Sequence, residues 1–147
     1  MARPMRPTAL IPYLIVENGA DALTFYQQAF GARLVSHQVA EDGMRIIHAH
    51  FKIGELEFMM SDYIAEVKQE RNIPSKSQSR SMIMHWIFDS HIDVEGFLEN
   101  AIDAGCEVIY PFVDMFWGEY YGEIKDPFGH IWALVSPPKG KHKVSLI

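Results

Sequence analysis

Hydrophobic positions recur in two copies of one pattern along the chain. The first copy has the i, i+3, i+4, i+7, i+8 spacing of an amphipathic helix, at Ala22, Phe25, Tyr26, Ala29 and Phe30. The second copy has the same spacing, at Val94, Phe97, Leu98, Ala101 and Ile102. The stretches PYLIVENGADALTFYQQA and MHWIFDSHIDVEGFLENA align without a gap at an offset of 72 residues. The pattern therefore predicts two equivalent helices.

Residues typical of helix ends flank both predicted helices. Asn18 and Ser90 precede them, and each side chain can accept a hydrogen bond from a free backbone amide of the first turn. Gly31 and Gly105 follow them. Glycine adopts the left-handed conformation that ends a helix at a lower energetic cost than other residues. The two helices are thus predicted to begin and end at matching points.

Apolar strands precede and follow each helix. In the first half the predicted strands are 9–16, 33–39, 44–51 and 55–60, and in the second half 81–88, 106–112, 115–124 and 130–135. The result is an α+β fold of tandem βαβββ units, 9–61 and 81–136, within one domain of residues 1–147. A polar linker, 62–80, is predicted to join the units, and 137–147 forms a tail.

The composition limits the possible partners. With 147 residues, 48% hydrophobic residues and a net charge of −6, the chain can form one sizeable core and has no excess of basic residues for nucleic acid. Cys106 is the single cysteine, so no intrachain disulfide can form. No apolar run approaches the roughly 20 residues of a membrane helix. We therefore expect a soluble, cytoplasmic protein whose partners are small molecules or proteins.

Two sequence motifs resemble those of a known protein family. The tandem units, with FYQQAFGA in the first helix and DPFGH before the last strand, resemble the glyoxalase, bleomycin-resistance and extradiol dioxygenase (vicinal oxygen chelate) superfamily over residues 9–136. The stretch DMFWGEYYGEIKDPFGHIWAL resembles the PhnB-like branch, although Tyr120 stands where that branch usually carries an arginine. The resemblance implies two curved mixed half-sheets around a cleft, and chains that pair as homodimers.

The same resemblance supplies a test for a metal site. Metal-dependent members carry ligands on the first and last strands of each unit, and the matching positions here are Ile11, Phe58, Ile83 and Ala133. Phe58 is matched to Ala133 by aligning IGELEFMMS with FGHIWALVS at an offset of 75. None of the four side chains offers the nitrogen or oxygen that zinc, iron or manganese requires. We therefore expect no metal cofactor.

The DPFGH motif then reads as a hairpin turn, because proline and glycine both favour turn conformations. Its histidine, His130, lies three residues before Ala133, so strand alternation predicts that it points to the opposite face, as a surface or turn residue.

Tyr13 and His85 are equivalent in the repeat and share a predicted face with the emptied ligand positions. Apolar walls with a few convergent polar groups are typical of small-molecule pockets, although both residues could instead be satisfied core residues. Aromatic residues near the turn could stack on a ligand, or serve as core or dimer contacts. The candidate ligand-binding residues are Tyr13, Phe58, Met60, Ile83, His85, Trp117 and Tyr120.

The motif HAH supplies a fallback metal site. His48 and His50 share a face of the third predicted strand, and His85 would complete a three-imidazole set if it reached the same ion.

Three functions follow from these patterns. The favoured one is a metal-free protein that binds a small apolar or aromatic molecule. The first alternative is a lyase or isomerase with His85 as general base, with or without a metal held by His48 and His50. The second is a protein-interaction module whose cleft is filled by its own side chains.

Overall fold

The structure is a computed structural model that describes residues 5–63, 82–115 and 117–138. The described residues form two helices and eight strands. In chain order these are β1 (Tyr13–Val16), α1 (Gly19–Phe30), β2 (Arg33–Val39), β3 (Ile46–Ile53), β4 (Leu56–Asp62), β5 (Met84–Ile87), α2 (His91–Asp103), β6 (Glu107–Asp114), β7 (Tyr120–Lys125) and β8 (Ile131–Ser136). Most of the predicted linker and tail falls outside the described residues.

The strands form two four-stranded mixed sheets with equivalent topology. The first sheet has the order β1-β4-β3-β2 and the second β5-β8-β7-β6, with the first strand of each unit parallel to the last and the other neighbours antiparallel. We call these sheet A and sheet B. The predicted α+β fold of tandem βαβββ units is confirmed.

Both helices begin at the predicted caps. The Asn18 side chain accepts a hydrogen bond from the Asp21 amide, and the Ser90 hydroxyl accepts one from the Ile92 amide. Gly31 ends α1 in the left-handed region at a φ of 66°, as the sequence predicts. In α2 the C-cap is Ala104, and the predicted Gly105 follows it at a φ of 116°.

Several strand boundaries differ from prediction. β1 begins at Tyr13 instead of residue 9, β5 at Met84 instead of 81, and β7 at Tyr120 instead of 115. The described residues before each strand, 9–12, 82–83 and 117–119, lie outside the strand ladders, although the Pro12 carbonyl accepts a hydrogen bond from the Met59 amide. Hydrophobicity marks burial and does not by itself create a hydrogen-bonding partner.

One core joins the two units. Phe30 of α1 stacks on Phe97 of α2, with ring centroids 5.2 Å apart, and Trp86 of β5 stacks on Trp132 of β8 at 5.2 Å. The Phe30 ring also lies edge-on to Trp132 at 4.9 Å. Aromatic contacts of this kind add to the hydrophobic gain of burial, so the helices and strands of both units stabilise a shared interior.

Asp126 in the DPFGH turn is a hydrogen-bonding centre between the units. Its buried carboxylate accepts bonds from the Tyr26 hydroxyl at 2.6 Å and the Trp132 indole at 2.9 Å. The amides of Phe128 and His130 donate to its other oxygen at 2.9 and 3.0 Å. Burial raises the pKa of Tyr26 well above its usual value, and the charge of Asp126 raises it further. The turn thus fastens β8 to α1 of the other unit.

His130 makes a second connection between the units. Its Nε2 atom donates a hydrogen bond to the carbonyl oxygen of Ile15 in β1 at 3.0 Å, and the residue is buried. His130 therefore lies in the turn, one of the two places expected for it, and it is buried instead of lying at the surface. The short polar motif gave no sign that β1 of the other unit covers it.

A buried carboxylate also organises the first unit. Asp62, at the end of β4, accepts hydrogen bonds from the Gly19 amide at 2.8 Å and the Ile46 amide at 2.7 Å. The first of these amides belongs to the opening turn of α1, where helix amides lack partners within the helix. Asp62 therefore joins the start of α1 to the start of β3. No helix within the described ranges is both long and apolar enough to cross a membrane.

Candidate functional site

Strand pairing decides which residues share a face in each unit. Tyr13 lies opposite Met59 in sheet A, and His85 lies opposite Ala133 in sheet B. Since Tyr13 and His85 are equivalent, Met59 and not Phe58 is the counterpart of Ala133. The alignment at an offset of 75 is therefore wrong by one residue, and a one-residue slip moves every side chain of a strand to the other face.

The slip lies in how the first strand of each unit pairs with the last. Tyr13 and its partner Met59 are 46 positions apart, and His85 and its partner Ala133 are 48 apart, whereas the offset of 75 would require 49. Phe58 and Met60 consequently face the core. The Phe58 ring lies 5.2 Å from the Tyr26 ring, and Met60 is fully buried. Met60 therefore cannot line a ligand cleft as predicted.

A cleft of about 620 Å³ lies where the two units meet. Its walls come from the segment before β1, the β3–β4 turn with the start of β4, and the edge strand β5. The lining residues are 9–12, 55–58, 84–87 and Trp132. Three residues singled out in the sequence line it, namely Ile11, Phe58 and His85. Its volume falls within the range of small-molecule pockets.

The cleft has an unusual donor at its wall. Among the described residues, the indole N–H of Trp86 is buried without a hydrogen-bond acceptor. The Trp86 ring packs against Trp132 and lies edge-on to Phe30 at 5.9 Å. A buried donor without an acceptor costs about 1 to 3 kcal/mol. The sequence pattern marked Trp86 only as part of an apolar strand.

The remaining predicted ligand contacts lie elsewhere. Tyr13 does not line the cleft, and its hydroxyl lies 3.1 Å from Nδ1 of His48. Ile83 is 41% exposed at the approach to β5. Trp117 donates its indole N–H to Glu119, and Tyr120 stacks on His91 with ring centroids 5.4 Å apart. Within one chain, Tyr13 and His85 therefore do not meet across a single cleft.

The outer face of sheet A carries the histidines of the HAH motif. Nε2 of His50 donates to the Glu57 carboxylate at 2.6 Å, while His48 contacts Tyr13. In the described part of the chain, no group of three or more His, Cys, Asp or Glu residues could hold a metal ion. The fallback set of His48, His50 and His85 is thus not brought together within one chain. Glu57 was not predicted from the sequence. The β3–β4 hairpin brings it next to His50.

Cys106 lies at the end of the shared core, away from the cleft. It is 7% exposed, and burial followed by the nearby charge of Asp126 raises the pKa of its thiol to about 12. The thiolate is the nucleophilic form of cysteine, so this side chain is inert at neutral pH.

Comparison with known proteins gives a consistent result. The model of the Glyoxalase/Bleomycin resistance protein/Dioxygenase superfamily matches residues 8–134. An uncharacterized protein of Mycobacterium bovis is 32% identical over 129 residues, covering 88% of this chain and 83% of that protein.

Solved structures show the same fold. A glyoxalase/bleomycin resistance protein/dioxygenase from Nocardioides is similar with a TM-score of 0.69 and 18% identity, over 99% of this chain and 93% of that one. A fosfomycin resistance protein from Listeria monocytogenes, solved with Mn(II) and sulfate, is similar with a TM-score of 0.65 and 16% identity, over 90% and 93% of the two chains. These structures share the fold, and because the family model matches residues 8–134, the chain belongs to the Glyoxalase/Bleomycin resistance protein/Dioxygenase superfamily.

Proposed function

We propose that this protein binds a small, partly apolar molecule in the cleft between its two units, without a metal ion at the superfamily's ligand positions. The observation that carries the proposal is the cleft of about 620 Å³ walled largely by apolar side chains. Such a cavity removes most of a small ligand's surface from water, and apolar burial contributes about 25 cal/mol per Å².

Glu55, Glu57 and His85 are the ionisable residues that line the cleft, and the proposal assigns specificity to His85 and to the Trp86 indole. The exposed imidazole of His85 stands at one wall and can donate or accept a hydrogen bond. The buried Trp86 indole, without an acceptor among the described residues, favours a ligand that carries an oxygen or nitrogen acceptor on its apolar body. The favoured ligand is therefore an aromatic or aliphatic molecule with one or two polar atoms.

The metal-free part of the proposal rests on residue chemistry. The strand positions equivalent to superfamily ligands carry Ile11, Met59, Ile83 and Ala133 once the strand pairing of Tyr13 with Met59 is applied. Three are hydrocarbon side chains, and the thioether of Met59 is a poor ligand for hard or borderline cations. The fold thus supplies the frame of a metal centre with no suitable ligands at these positions.

The role of His85 can be tested with a ligand identified by thermal-shift screening. A bound ligand would shield the His85 imidazole from water, and a hydrogen bond lost from such a shielded site typically costs about 1 to 3 kcal/mol. His85→Ala should therefore weaken binding roughly five- to 150-fold. Isothermal titration of wild type and variant measures the difference. His37→Ala is the matched control, since that exposed histidine lies on β2, away from the cleft.

Two outcomes would contradict the proposal. Equal affinities in wild type and His85→Ala, with a loss of stability only in the variant, would make His85 a structural residue. Elemental analysis showing about one zinc, iron, nickel or manganese ion per chain, lost on His85→Ala or His50→Ala, would favour the metal-dependent lyase or isomerase.

We also propose that two chains pair as a homodimer. Sheet B ends at β6, whose exposed apolar side chains include Val108, Tyr110 and Val113 at 41%, 59% and 48% exposure. An edge strand with exposed apolar residues favours association, because its backbone groups otherwise remain unpaired. Sedimentation equilibrium at micromolar protein should give twice the chain mass of 16.8 kDa. A mass of one chain would refute the pairing.

A further inference from the structure

The chain carries one Asn–Gly sequence, Asn18–Gly19, where α1 begins. Asparagine before glycine is chemically labile, because glycine has no side chain to shield its backbone nitrogen or to restrict the backbone. In a free peptide the Gly19 N–Cγ bond forms, the Cγ–Nδ2 bond of Asn18 breaks, and Nδ2 leaves as ammonia with the proton of the Gly19 amide. Water then opens the resulting succinimide ring to aspartate or isoaspartate. Asn18 is exposed, so water reaches its side chain.

The fold holds both reacting groups of this pair on other partners. The Gly19 amide donates to Oδ1 of Asp62 at 2.8 Å, and Gly19 is buried. The Asn18 side chain is held by Asp21, whose amide donates to its Oδ1 at 3.2 Å and whose carboxylate accepts from its Nδ2 at 2.8 Å. The negative charge of Asp62 also opposes loss of the proton that the Gly19 nitrogen must give up before it attacks. Nucleophile and electrophile are therefore kept from reacting while these bonds last.

The restraint on Gly19 comes from sheet A and not from the helix itself. The first amides of a helix have no acceptor within the helix, so the Gly19 amide depends on an outside partner. Asp62 supplies it from the end of β4, 43 residues further along the chain, and its carboxylate is buried. Its second oxygen accepts from the Ile46 amide at 2.7 Å, which fixes the orientation of the carboxylate. The stability of this one contact thus decides how often the Gly19 nitrogen is released.

The other pair of this kind, Asp42–Gly43, is protected by charge. Hydrogen bonds from the Met44 and Arg45 amides lower the pKa of Asp42 to about 2. At neutral pH its side chain is therefore an ionised carboxylate, which a backbone nitrogen does not attack. Asn18 carries a neutral amide at the same pH, so its protection has to come from geometry.

We propose that Asn18 is a latent deamidation site, which the Asp62 carboxylate keeps unreactive in the folded protein by holding the Gly19 amide. Deamidation then requires a local opening that separates Gly19 from Asp62, and its rate follows the population of that open state. Isoaspartate adds a methylene group to the backbone at residue 18, which displaces Gly19 from its acceptor and makes the opening permanent. This inference does not depend on the function proposed for the cleft.

The reaction is followed by incubating the protein at mildly alkaline pH and mapping its peptides by chromatography and mass spectrometry. These methods separate the asparagine, aspartate and isoaspartate forms of residue 18. Folded wild type should be modified at Asn18 roughly a hundredfold or more slowly than the same chain in concentrated urea. Asn18→Ser can still cap α1 but cannot form the ring, so the mass change in this peptide should disappear.

Asp62→Ala tests the restraint itself. In the folded variant the rate at Asn18 should rise roughly five- to 150-fold, the factor that corresponds to a lost buried hydrogen bond. Asp62→Asn keeps one acceptor oxygen for two amides, so its rate should lie between those of wild type and Asp62→Ala, and it replaces the alanine variant if that does not fold. Hydrogen exchange of the Gly19 amide should accelerate in parallel. Asp126→Ala is the control, since it removes a buried carboxylate that does not contact Gly19.

Three results would overturn the proposal. The first is deamidation of folded wild type at Asn18 as fast as in urea, and the second is a wild-type rate in the folded Asp62 variants. The third is an increase in folded Asp126→Ala as large as that in Asp62→Ala, which would make global stability the determinant. Binding of a ligand in the cleft has no bearing on these outcomes.

Discussion

Replacing Asp126 with alanine should lower the free energy of unfolding by about 3 to 5 kcal/mol, the largest effect expected of a polar substitution in this chain. The change removes the acceptor of four hydrogen bonds, two of them from the buried Tyr26 hydroxyl and Trp132 indole. A buried donor left without an acceptor loses its hydration without replacement. Urea denaturation followed by tryptophan fluorescence measures the loss.

Two control variants separate the loss of the charge from the loss of the hydrogen-bond acceptor and from the effect of a surface substitution. Asp126→Asn keeps one acceptor oxygen and should cost less than alanine. Asp103→Ala, at the exposed end of α2, should change stability by no more than about 0.5 kcal/mol. An Asp126→Ala variant as stable as Asp103→Ala would show that the turn does not fasten the two units.

Gly19→Ala should destabilise the protein by about 2 to 4 kcal/mol, although alanine is the better helix former. A Cβ atom at residue 19 would lie 2.3 Å from Oδ2 of Asp62 and 2.9 Å from Cβ of Ile46. The Asp62 carboxylate would have to move, and it would lose its bonds to the Gly19 and Ile46 amides. Steric exclusion and broken hydrogen bonds therefore act in the same direction.

Gly96→Ala is the matched control for this prediction. Gly96 lies in α2, and a Cβ atom there would meet nothing within 4 Å. Alanine at that site should stabilise the protein by about 0.5 to 1 kcal/mol, because it restricts the unfolded chain and favours helix. The two variants should thus shift the thermal midpoint in opposite directions. A stabilising Gly19→Ala would mean that Asp62 does not hold the start of α1.

The helices were the most predictable part of the fold. All five residues of the first predicted stripe, from Ala22 to Phe30, are buried in α1. In α2 only Val94 and Ala101 are buried, and Ile102 remains 43% exposed. Periodicity gives the direction of an apolar face, while the extent of its burial depends on which elements cover it. Those elements are strands of the same unit and the helix of the other, and they leave no local pattern in the helix sequence.

The strand faces were less predictable, because they depend on how the first strand of each unit pairs with the last. The Tyr13–Met59 and His85–Ala133 separations differ by two positions, whereas aligning Gly54 with Gly129 implies a difference of three. This register places Met60 in the core, while Phe58 packs on the core and still lines the cleft.

The bonds between the DPFGH turn and the first unit bear on how the chain folds. Tyr26 and Asp126 are 100 residues apart, and His130 and Ile15 are 115 apart. Contacts between residues so far apart in sequence require a costly loop closure before they stabilise the fold. They therefore slow folding and form late. During synthesis, the aromatic side of α1 therefore lacks its partners from the second unit, Phe128 and Trp132, until the last hairpin has been made. Chaperones bind mainly while a nascent chain exposes apolar surface. Because the partners of α1 are synthesised late, this fold prolongs that exposure.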